Sequence, residues 1–183
     1  MKHLLSFLKR LLSFFDATNI AAFLLFFCVC GILFALFMQH IVGVQPCPLC
    51  IIQRVELILV GFFAAFALVF SRFRRMLQVG LSLSALFSVL GFLTAGWQVY
   101  IQANPPEFAE CGPGIGYIFA NFPISEAIPV IFSPYSDCAI ASYIIPNLLT
   151  IPQSSLLAFI FTFFVACYGI YRSIKPYNEA TPA

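Results

Sequence analysis

The sequence IAAFLLFFCVCGILFALFM occupies residues 20–38 and contains no charged side chain. Crossing a bilayer's hydrocarbon core of about 30 Å takes on the order of 20 helical residues. Three more stretches have a comparable length and apolar character, at about residues 51–70, 76–101 and 154–171. Backbone polar groups inside a bilayer must be satisfied within the protein, which makes apolar stretches of this length helical. The sequence therefore predicts an all-α membrane protein with four transmembrane helices.

The composition supports this fold class. Of the 183 residues, 62% are hydrophobic and 9% are charged, whereas a soluble domain carries roughly 25% charged residues. The formal net charge of +2 is too small to indicate nucleic acid binding, and no basic run alternates with aromatic residues. We therefore expect a lipid bilayer as the main solvent and interpret the 23 phenylalanines as lipid-facing side chains.

The lysines and arginines predict the orientation of the four spans. Eight of the nine lie before the first span, between the second and third, or after the fourth: Lys2, Lys9, Arg10, Arg72, Arg74, Arg75, Arg172 and Lys175. The loops at about 39–50 and 102–153 contain neither residue type. Because positively charged loops stay in the cytoplasm, we expect cytoplasmic termini and extracytoplasmic loops. Residues 1–183 are thus predicted to form one domain, a four-helix bundle with one short and one long extracytoplasmic loop.

The long loop is predicted to stay close to the membrane. It holds eight of the twelve prolines, yet residues 115–122 and 140–149 are rich in isoleucine, phenylalanine and tyrosine. Short apolar segments of this kind are typical of the membrane interface. They would keep the cysteines of the loop near the membrane surface.

The seven cysteines divide by position. Three lie inside spans, where a cysteine often behaves as a small buried hydrophobic residue: Cys28, Cys30 and Cys167. The other four lie in the extracytoplasmic loops, two in each: Cys47, Cys50, Cys111 and Cys138. An even set in an oxidising compartment indicates disulfides. Redox chemistry is the favoured interpretation, and structural disulfides or a four-cysteine zinc site are the alternatives.

The motif Cys47-Pro48-Leu49-Cys50 favours redox chemistry. A disulfide across two intervening residues closes a loop too small to stabilise a fold much, but such a pair is easily reduced. We expect the second helix to begin near Cys50 and to point its free N–H groups at that sulfur. Arg54 lies one turn further along the same face, and both effects favour a thiolate at Cys50. The alternative for Arg54 is a side chain that snorkels to the interface.

Glu56 is a second ionisable residue within the predicted second span. It is two positions from Arg54, so the two side chains do not share a helical face. We expect Glu56 either to bond to a neighbouring helix or to take part in proton transfer.

These motifs resemble the DsbB family of bacterial inner-membrane thiol oxidoreductases over about residues 20 to 172. The matching residues are Gln39-His40, Pro46-Cys47-Pro48-Leu49-Cys50 and Arg54, then Gln102, Pro105, Cys111-Gly112-Pro113, Phe122-Pro123 and Asp137-Cys138-Ala139. The resemblance implies an enzyme that re-oxidises a periplasmic DsbA-like protein of the thioredoxin fold. Its electrons would pass to a membrane quinone, ubiquinone or menaquinone, and no metal is expected. The cysteine loops would then be periplasmic.

The resemblance also implies a role for each site residue. The redox disulfides would be Cys47–Cys50 and Cys111–Cys138. A partner thiolate would attack Cys111, Cys138 would then attack Cys47, and the released Cys50 thiolate would reduce a quinone held beside Arg54. Family members often carry a basic residue near the end of the third span, close to the quinone. This chain has Trp97-Gln98 there, which makes Gln98 the second candidate for cofactor binding.

Other interpretations remain open at this stage. After Asp-Cys-Ala the family usually has an acidic residue and a tryptophan, where this chain has Ile140 and Tyr143, a difference that bears on the partner. The alternatives are a DsbB paralogue with a dedicated partner and a relay like that of vitamin K epoxide reductase. Outside these enzymes, a non-catalytic membrane protein with disulfide staples and a metal-binding membrane protein also fit.

Overall fold

A computed structural model of the chain describes residues 16–44, 46–105, 115–121, 123–132, 143–145 and 149–174. In chain order its elements are α1 (Ala17–His40), α2 (Pro48–Val69), α3 (Arg74–Ala103), α4 (Ile115–Asn121), α5 (Ile124–Ile131), β1 (Tyr143–Ile145), β2 (Leu149–Thr150) and α6 (Ile151–Ile174). The two short strands pair antiparallel directly before α6.

The helices α1, α2, α3 and α6 are long and apolar enough to cross a membrane, which confirms the predicted fold class. The local sequence explains where they begin. The Asp16 carboxylate accepts a hydrogen bond of 2.9 Å from the N–H of Ala17 and so caps α1. Cys47 caps α2 in the same way, and Pro48 follows at the first helical position, where its missing N–H has no helical partner to lose.

The four long helices form a closed bundle. The helix α1 packs against α2 and α6, and α3 packs against the same two helices. The core between them consists mainly of small and branched apolar side chains, including Ala21, Leu24, Val60, Ala64, Leu81 and Ala166. The CPLC motif at the start of α2, the end of α3 and the start of α6 therefore lie at the same end of the bundle.

Small residues and hydroxyl groups hold α2, α3 and α6 together. A Cβ atom added at Gly80 of α3 would lie 2.9 Å from the backbone nitrogen of Ala67 in α2, so the two backbones approach closely. Ser84 donates a hydrogen bond of 3.1 Å to the carbonyl oxygen of Val60. The hydroxyls of Ser88 and Thr162 are 3.0 Å apart. Such contacts are typical of helix packing in lipid, where burial of apolar surface does not drive association.

The outward faces of the bundle are apolar. Phe26 and Phe164 are each 65% exposed, as expected for side chains that meet lipid. Of the three cysteines predicted to be small buried residues, Cys28 is buried and Cys167 is partly buried against the core. The prediction is wrong for Cys30, which is exposed. Two residues along a helix rotate a side chain by about 200°, so Cys28 and Cys30 cannot both face the core.

The long loop contributes two short helices at the CPLC end of the bundle. The helix α4 lies within the apolar segment predicted at residues 115–122, whereas α5 was not predicted. Ile118 of α4 and Ile131 of α5 are buried against each other, and Ile52 of α2 and Phe132 pack against them. The loop helices α4 and α5 therefore pack against the beginning of α2. Of the second predicted interface segment, residues 140–149, only the positions in β1 and β2 are among the described residues.

Candidate redox site

The two cysteines of the CPLC motif lie side by side at the start of α2. Cys47 is the N-cap residue and Cys50 is the third helical residue, so one helical turn brings their side chains together. Their Sγ atoms are 3.1 Å apart as two thiols. Cys47 is buried and Cys50 is partly buried. Only a small movement separates this dithiol from a disulfide, whose sulfurs are bonded at about 2.05 Å.

The N-terminus of α2 acts on both sulfurs of the CPLC motif. The backbone N–H of Cys50 points at Sγ of Cys47 at 3.4 Å. We expected these N–H groups to point at Cys50; the N–H of Cys50 itself is directed at Cys47, while the backbone N–H of Cys47 interacts with the Cys50 sulfur. The reason is that α2 begins at Pro48 rather than near Cys50, which places Cys50 inside the first turn and Cys47 at its cap. The partial positive charge of the helix terminus thus lies close to both sulfurs, which are 3.1 Å apart.

Two buried glutamines complete the surroundings of the sulfurs. The Nε2 atom of Gln98 in α3 lies 3.2 Å from Sγ of Cys47 and 3.3 Å from Sγ of Cys50. The Oε1 atom of Gln98 accepts a hydrogen bond of 2.7 Å from Nε2 of Gln53 in α2. Both glutamines are buried. An amide of α3 therefore contacts both sulfurs of the CPLC motif and is held at its other end by α2.

Arg54 faces α1. Its guanidinium donates to Oε1 of Gln39 and, at 3.3 Å, to the carbonyl oxygen of Ala35. The side chain is partly buried. Glu56, two residues on, faces α3 instead, where its carboxyl group accepts a hydrogen bond of 2.6 Å from the hydroxyl of Thr94. The two ionisable residues therefore lie on different faces of α2, as expected, and Glu56 bonds to a neighbouring helix.

A cavity of about 250 Å³ connects these groups. Side chains of α1 and α6 form its apolar walls, among them Phe34, Met38 and Phe159. Its polar lining comes mainly from α2 and α3: Cys47, Cys50, Gln53, Arg54, Gln98 and Gln102. The cavity therefore places a thiol and a guanidinium on the wall of one space that is otherwise mostly apolar.

Comparison with known proteins identifies the family of the chain. Residues 17–169 match the family described as Disulfide bond formation protein DsbB. The chain belongs to the DsbB family. It is 39% identical over 129 residues to Disulfide bond formation protein B of Polaromonas sp., covering 69% of this chain and 76% of that protein. The protein of the same name from Psychrobacter cryohalolentis is 31% identical over 167 residues, covering 90% of this chain and 93% of its own length.

The family assigns the chain to disulfide bond formation at a membrane. It is a multi-pass membrane protein and, as a DsbB family member, a disulfide oxidoreductase. Within the described residues, no group of three or more His, Cys, Asp and Glu side chains lies close enough together to hold a metal ion. The sulfurs of the CPLC motif are instead surrounded by amide groups and apolar side chains.

The end of this DsbB site is covered by the long loop. The indole Nε1 of Trp97 in α3 donates a hydrogen bond of 3.0 Å to the carbonyl oxygen of Phe132, just after α5. The Phe132 side chain packs against the cluster formed by Cys47, Leu49 and Ile101. The loop thus contacts the same turn of α2 that carries the CPLC motif.

The structure brings together four of the six predicted site residues: Cys47, Cys50, Arg54 and Gln98. The other two, Cys111 and Cys138, lie outside the described residues. Sequence reasoning missed Gln53 as a functional candidate. Its only signal was its position three residues after Cys50, one turn along the same face of α2, within an apolar span.

Proposed function

We propose that this DsbB family member re-oxidises a periplasmic DsbA-like protein of the thioredoxin fold and passes the electrons to a membrane quinone. The observation that carries the proposal is that Cys50 and Arg54 line one cavity. A dithiol needs an electron acceptor within reach, and the cavity offers a site for one beside the sulfur. Its mostly apolar walls suit an acceptor dissolved in lipid.

The chemistry of the lining residues fits a quinone, either ubiquinone or menaquinone. A quinone ring is apolar on both faces and carries two carbonyl oxygens that accept hydrogen bonds. An arginine has five N–H donors, and Arg54 gives two of them to acceptors of α1. The remaining N–H donors of Arg54 are available to a quinone carbonyl. When bound, the quinone supplies the capacity to take up two electrons and two protons.

The cysteines carry the electrons to the cavity by thiol–disulfide exchange. A thiolate of the partner attacks Cys111, opens the Cys111–Cys138 disulfide and releases Cys138. The Cys138 thiolate then attacks Cys47 and releases Cys50 at the cavity wall. Once the partner has closed its own disulfide, Cys111 displaces Cys47 from Cys138. In total, two electrons and two protons leave the partner dithiol and arrive at Cys47 and Cys50.

The proposed location is the bacterial inner membrane, with both termini in the cytoplasm and both cysteine loops in the periplasm. The cations that follow α2 in the sequence support this orientation. The CPLC motif lies at the N-terminus of α2, while Arg72, Arg74 and Arg75 follow its C-terminus. Since cationic turns stay on the cytoplasmic side, the CPLC end faces the periplasm, where the partner would bind.

Quinone reduction by the purified protein tests the proposal. The protein is reduced, freed of reductant and mixed with one equivalent of a short-chain ubiquinone or menaquinone, and the quinone absorbance is followed. We expect rapid loss of the absorbance of one quinone with the unmodified protein and none with Cys50→Ser. Cys30→Ser is the matched control, because Cys30 lies on the outer face of α1 and should leave the rate unchanged.

Failure with both quinones would contradict the proposal. Titration of the thiols with and without a chelator would then separate the two remaining interpretations. Thiols that bind a metal become reactive only after chelation, whereas thiols in structural disulfides become reactive only after reduction.

A further inference from the structure

We infer that Gln98 is a positioning residue for the Cys47–Cys50 pair and that Gln53 orients it, so that the two glutamines raise the reduction potential of the pair. This role depends on the proposed function, because it concerns a pair that cycles between dithiol and disulfide. It differs from the role predicted from the sequence, in which Gln98 binds the cofactor.

The first observation is the placement of the Gln98 amide. Its Nε2 atom is nearly equidistant from the two sulfurs, at 3.2 Å from Cys47 and 3.3 Å from Cys50. Both distances are within hydrogen-bond range for a sulfur acceptor. The side chain is 2% exposed, so water does not compete for the amide. An N–H donor buried at this point interacts with whichever sulfur carries more negative charge.

The second observation is that Gln53 determines which end of the Gln98 amide faces the sulfurs. A glutamine side chain carries a donor and an acceptor of similar shape, and only its hydrogen-bond partners distinguish them. The Nε2 of Gln53 donates to Oε1 of Gln98 at 2.7 Å, which turns the NH₂ group of Gln98 towards Cys47 and Cys50. Among the described residues, no buried side-chain nitrogen or oxygen lacks a partner, so this arrangement satisfies both amides.

The consequence for redox chemistry follows from the change in charge at sulfur. When a dithiol reductant opens the disulfide, it gives up two electrons and two protons and closes into its own disulfide. The Cys47–Cys50 bond breaks, and the electrons reside on two separate sulfurs. A thiol or thiolate sulfur is a better hydrogen-bond acceptor than a disulfide sulfur, and hydrogen bonds to a charged acceptor are the stronger ones. The amide of Gln98 therefore stabilises the reduced pair more than the disulfide.

The same geometry explains why Gln98 serves the sulfurs rather than a ligand. Its carbonyl oxygen accepts from Gln53 and, at 3.8 Å, from the Cys50 thiol, and its amino group contacts Cys47 and Cys50. Gln102, one turn further along α3, lines the same cavity, and no hydrogen bond joins it to either sulfur among the described residues. Two glutamines of one helix thus border one cavity, and only Gln98 contacts the sulfurs.

The test measures the reduction potential of the pair without quinone or partner. The protein carries Cys111→Ser and Cys138→Ser, is freed of quinone in detergent, and is equilibrated with mixtures of reduced and oxidised dithiothreitol. Alkylation followed by mass spectrometry gives the reduced fraction of the peptide that contains Cys47 and Cys50. Gln98→Met, which keeps the length of the side chain and removes the donor, should lower the equilibrium constant for reduction about tenfold, or by about 30 mV.

Three further variants make the outcome specific. Gln53→Met should shift the potential in the same direction by a smaller amount, because it removes only the group that orients Gln98. Gln102→Met tests general loss of polarity in the cavity, and Ser88→Ala tests general loosening of α3 away from the sulfurs. Both variants should change the equilibrium constant for reduction by less than about threefold, which corresponds to about 0.7 kcal/mol.

An unchanged potential in Gln98→Met overturns the inference, as does an equal shift in Gln102→Met or Ser88→Ala. If Gln98→Met does not fold, Gln53→Met and Gln98→Glu test the inference in its place. Gln53→Met should lower the reduction potential of the pair. Gln98→Glu should lower it further, because it places an acceptor against the sulfurs. If the pair forms no disulfide in any mixture even with both glutamines present, the proposed function fails together with the inference. Normal disulfide formation with no effect of Gln98 would reject the inference alone.

Discussion

Replacing Arg54 by glutamine tests whether the cavity beside Cys50 binds the quinone. The substitution keeps a polar side chain and removes the cation. A hydrogen bond from a charged donor contributes about 1.5–3 kcal/mol. At 1.4 kcal/mol per tenfold change in affinity, loss of one such bond to a quinone carbonyl should weaken quinone binding by about ten- to hundredfold. Thiol exchange with the partner should change little, because it begins at Cys111 in the long loop.

The assay separates binding from turnover. Quinone affinity is measured by titration calorimetry in a Cys50→Ser background, in which electrons cannot leave the sulfurs. Partner exchange is measured in the same background, as the rate at which the reduced DsbA-like protein forms a mixed disulfide with Cys111. Each measurement compares Arg54 with Arg54→Gln. The expected result is a large change in the first quantity and a small change in the second.

The contacts of Arg54 with α1 require a control. The guanidinium donates to Gln39 and to the carbonyl oxygen of Ala35, so its removal also weakens the contact between α1 and α2. Gln39→Leu removes one of these partners and leaves the cation in place. It should retain most of the quinone affinity. If Gln39→Leu weakens quinone binding as much as Arg54→Gln, or if Arg54→Gln slows partner exchange equally, Arg54 is a structural residue and the reasoning is refuted.

Two further substitutions test the packing of α3. Gly80→Ala should destabilise the protein by about 1–3 kcal/mol, the usual cost of overpacking, because the added Cβ would lie 2.9 Å from the backbone of Ala67. Gly96→Ala is the control, because its added Cβ would have its nearest neighbour at 3.8 Å. Equal losses of stability in thermal unfolding of the two variants would contradict the close approach at Gly80. Trp97→Phe removes the hydrogen bond to Phe132, worth about 0.5–1.5 kcal/mol. It should speed hydrogen exchange in residues 115–132 by about two- to tenfold, and unchanged exchange would show that Trp97 does not hold the loop.

The architecture of the bundle could be predicted because it depends on the length of apolar stretches and on the distribution of cations. Prediction of the helix α1 needs no tertiary information, since a run of nineteen uncharged residues can satisfy its backbone hydrogen bonds in lipid by forming a helix. The start of α2 was harder to predict. The apolar pattern suggested residue 51, whereas Cys47 caps the helix and Pro48 begins it. The signal was present in the sequence, because proline is favoured at the first position of a helix.

The long loop shows where local patterns fail. The helix α5 contains Pro129 in its interior, and a proline there argues against a helix when the sequence is taken alone. In the structure, Ile131 of α5 is buried against Ile118 of α4. Packing between two short segments thus supplies what helix propensity does not. Such an override by tertiary contacts cannot be deduced from the segment itself.

The contact between Gln53 and Gln98 was beyond prediction for a different reason. The two residues are separated by 45 positions in the chain, and no repeat or spacing connects them. Their pairing depends on how far α3 slides along α2, which the tight packing of small residues such as Gly80 determines further down the bundle. Apolar periodicity predicts that two helices touch, but not which residues of one lie opposite which residues of the other.

One helical turn of α2 links the sulfur chemistry to the cavity. Cys50, Gln53 and Arg54 are spaced by three and four residues and therefore project from one face, and all three line the cavity. Their partners lie on different helices, since Gln53 bonds to α3 and Arg54 bonds to α1. The face of α2 that carries the Cys50 thiol is thus attached to α3 through Gln53 and to α1 through Arg54. Any movement of α2 that carries Cys50 away from Gln98 also moves Arg54, so the redox pair and the proposed quinone site cannot be displaced independently.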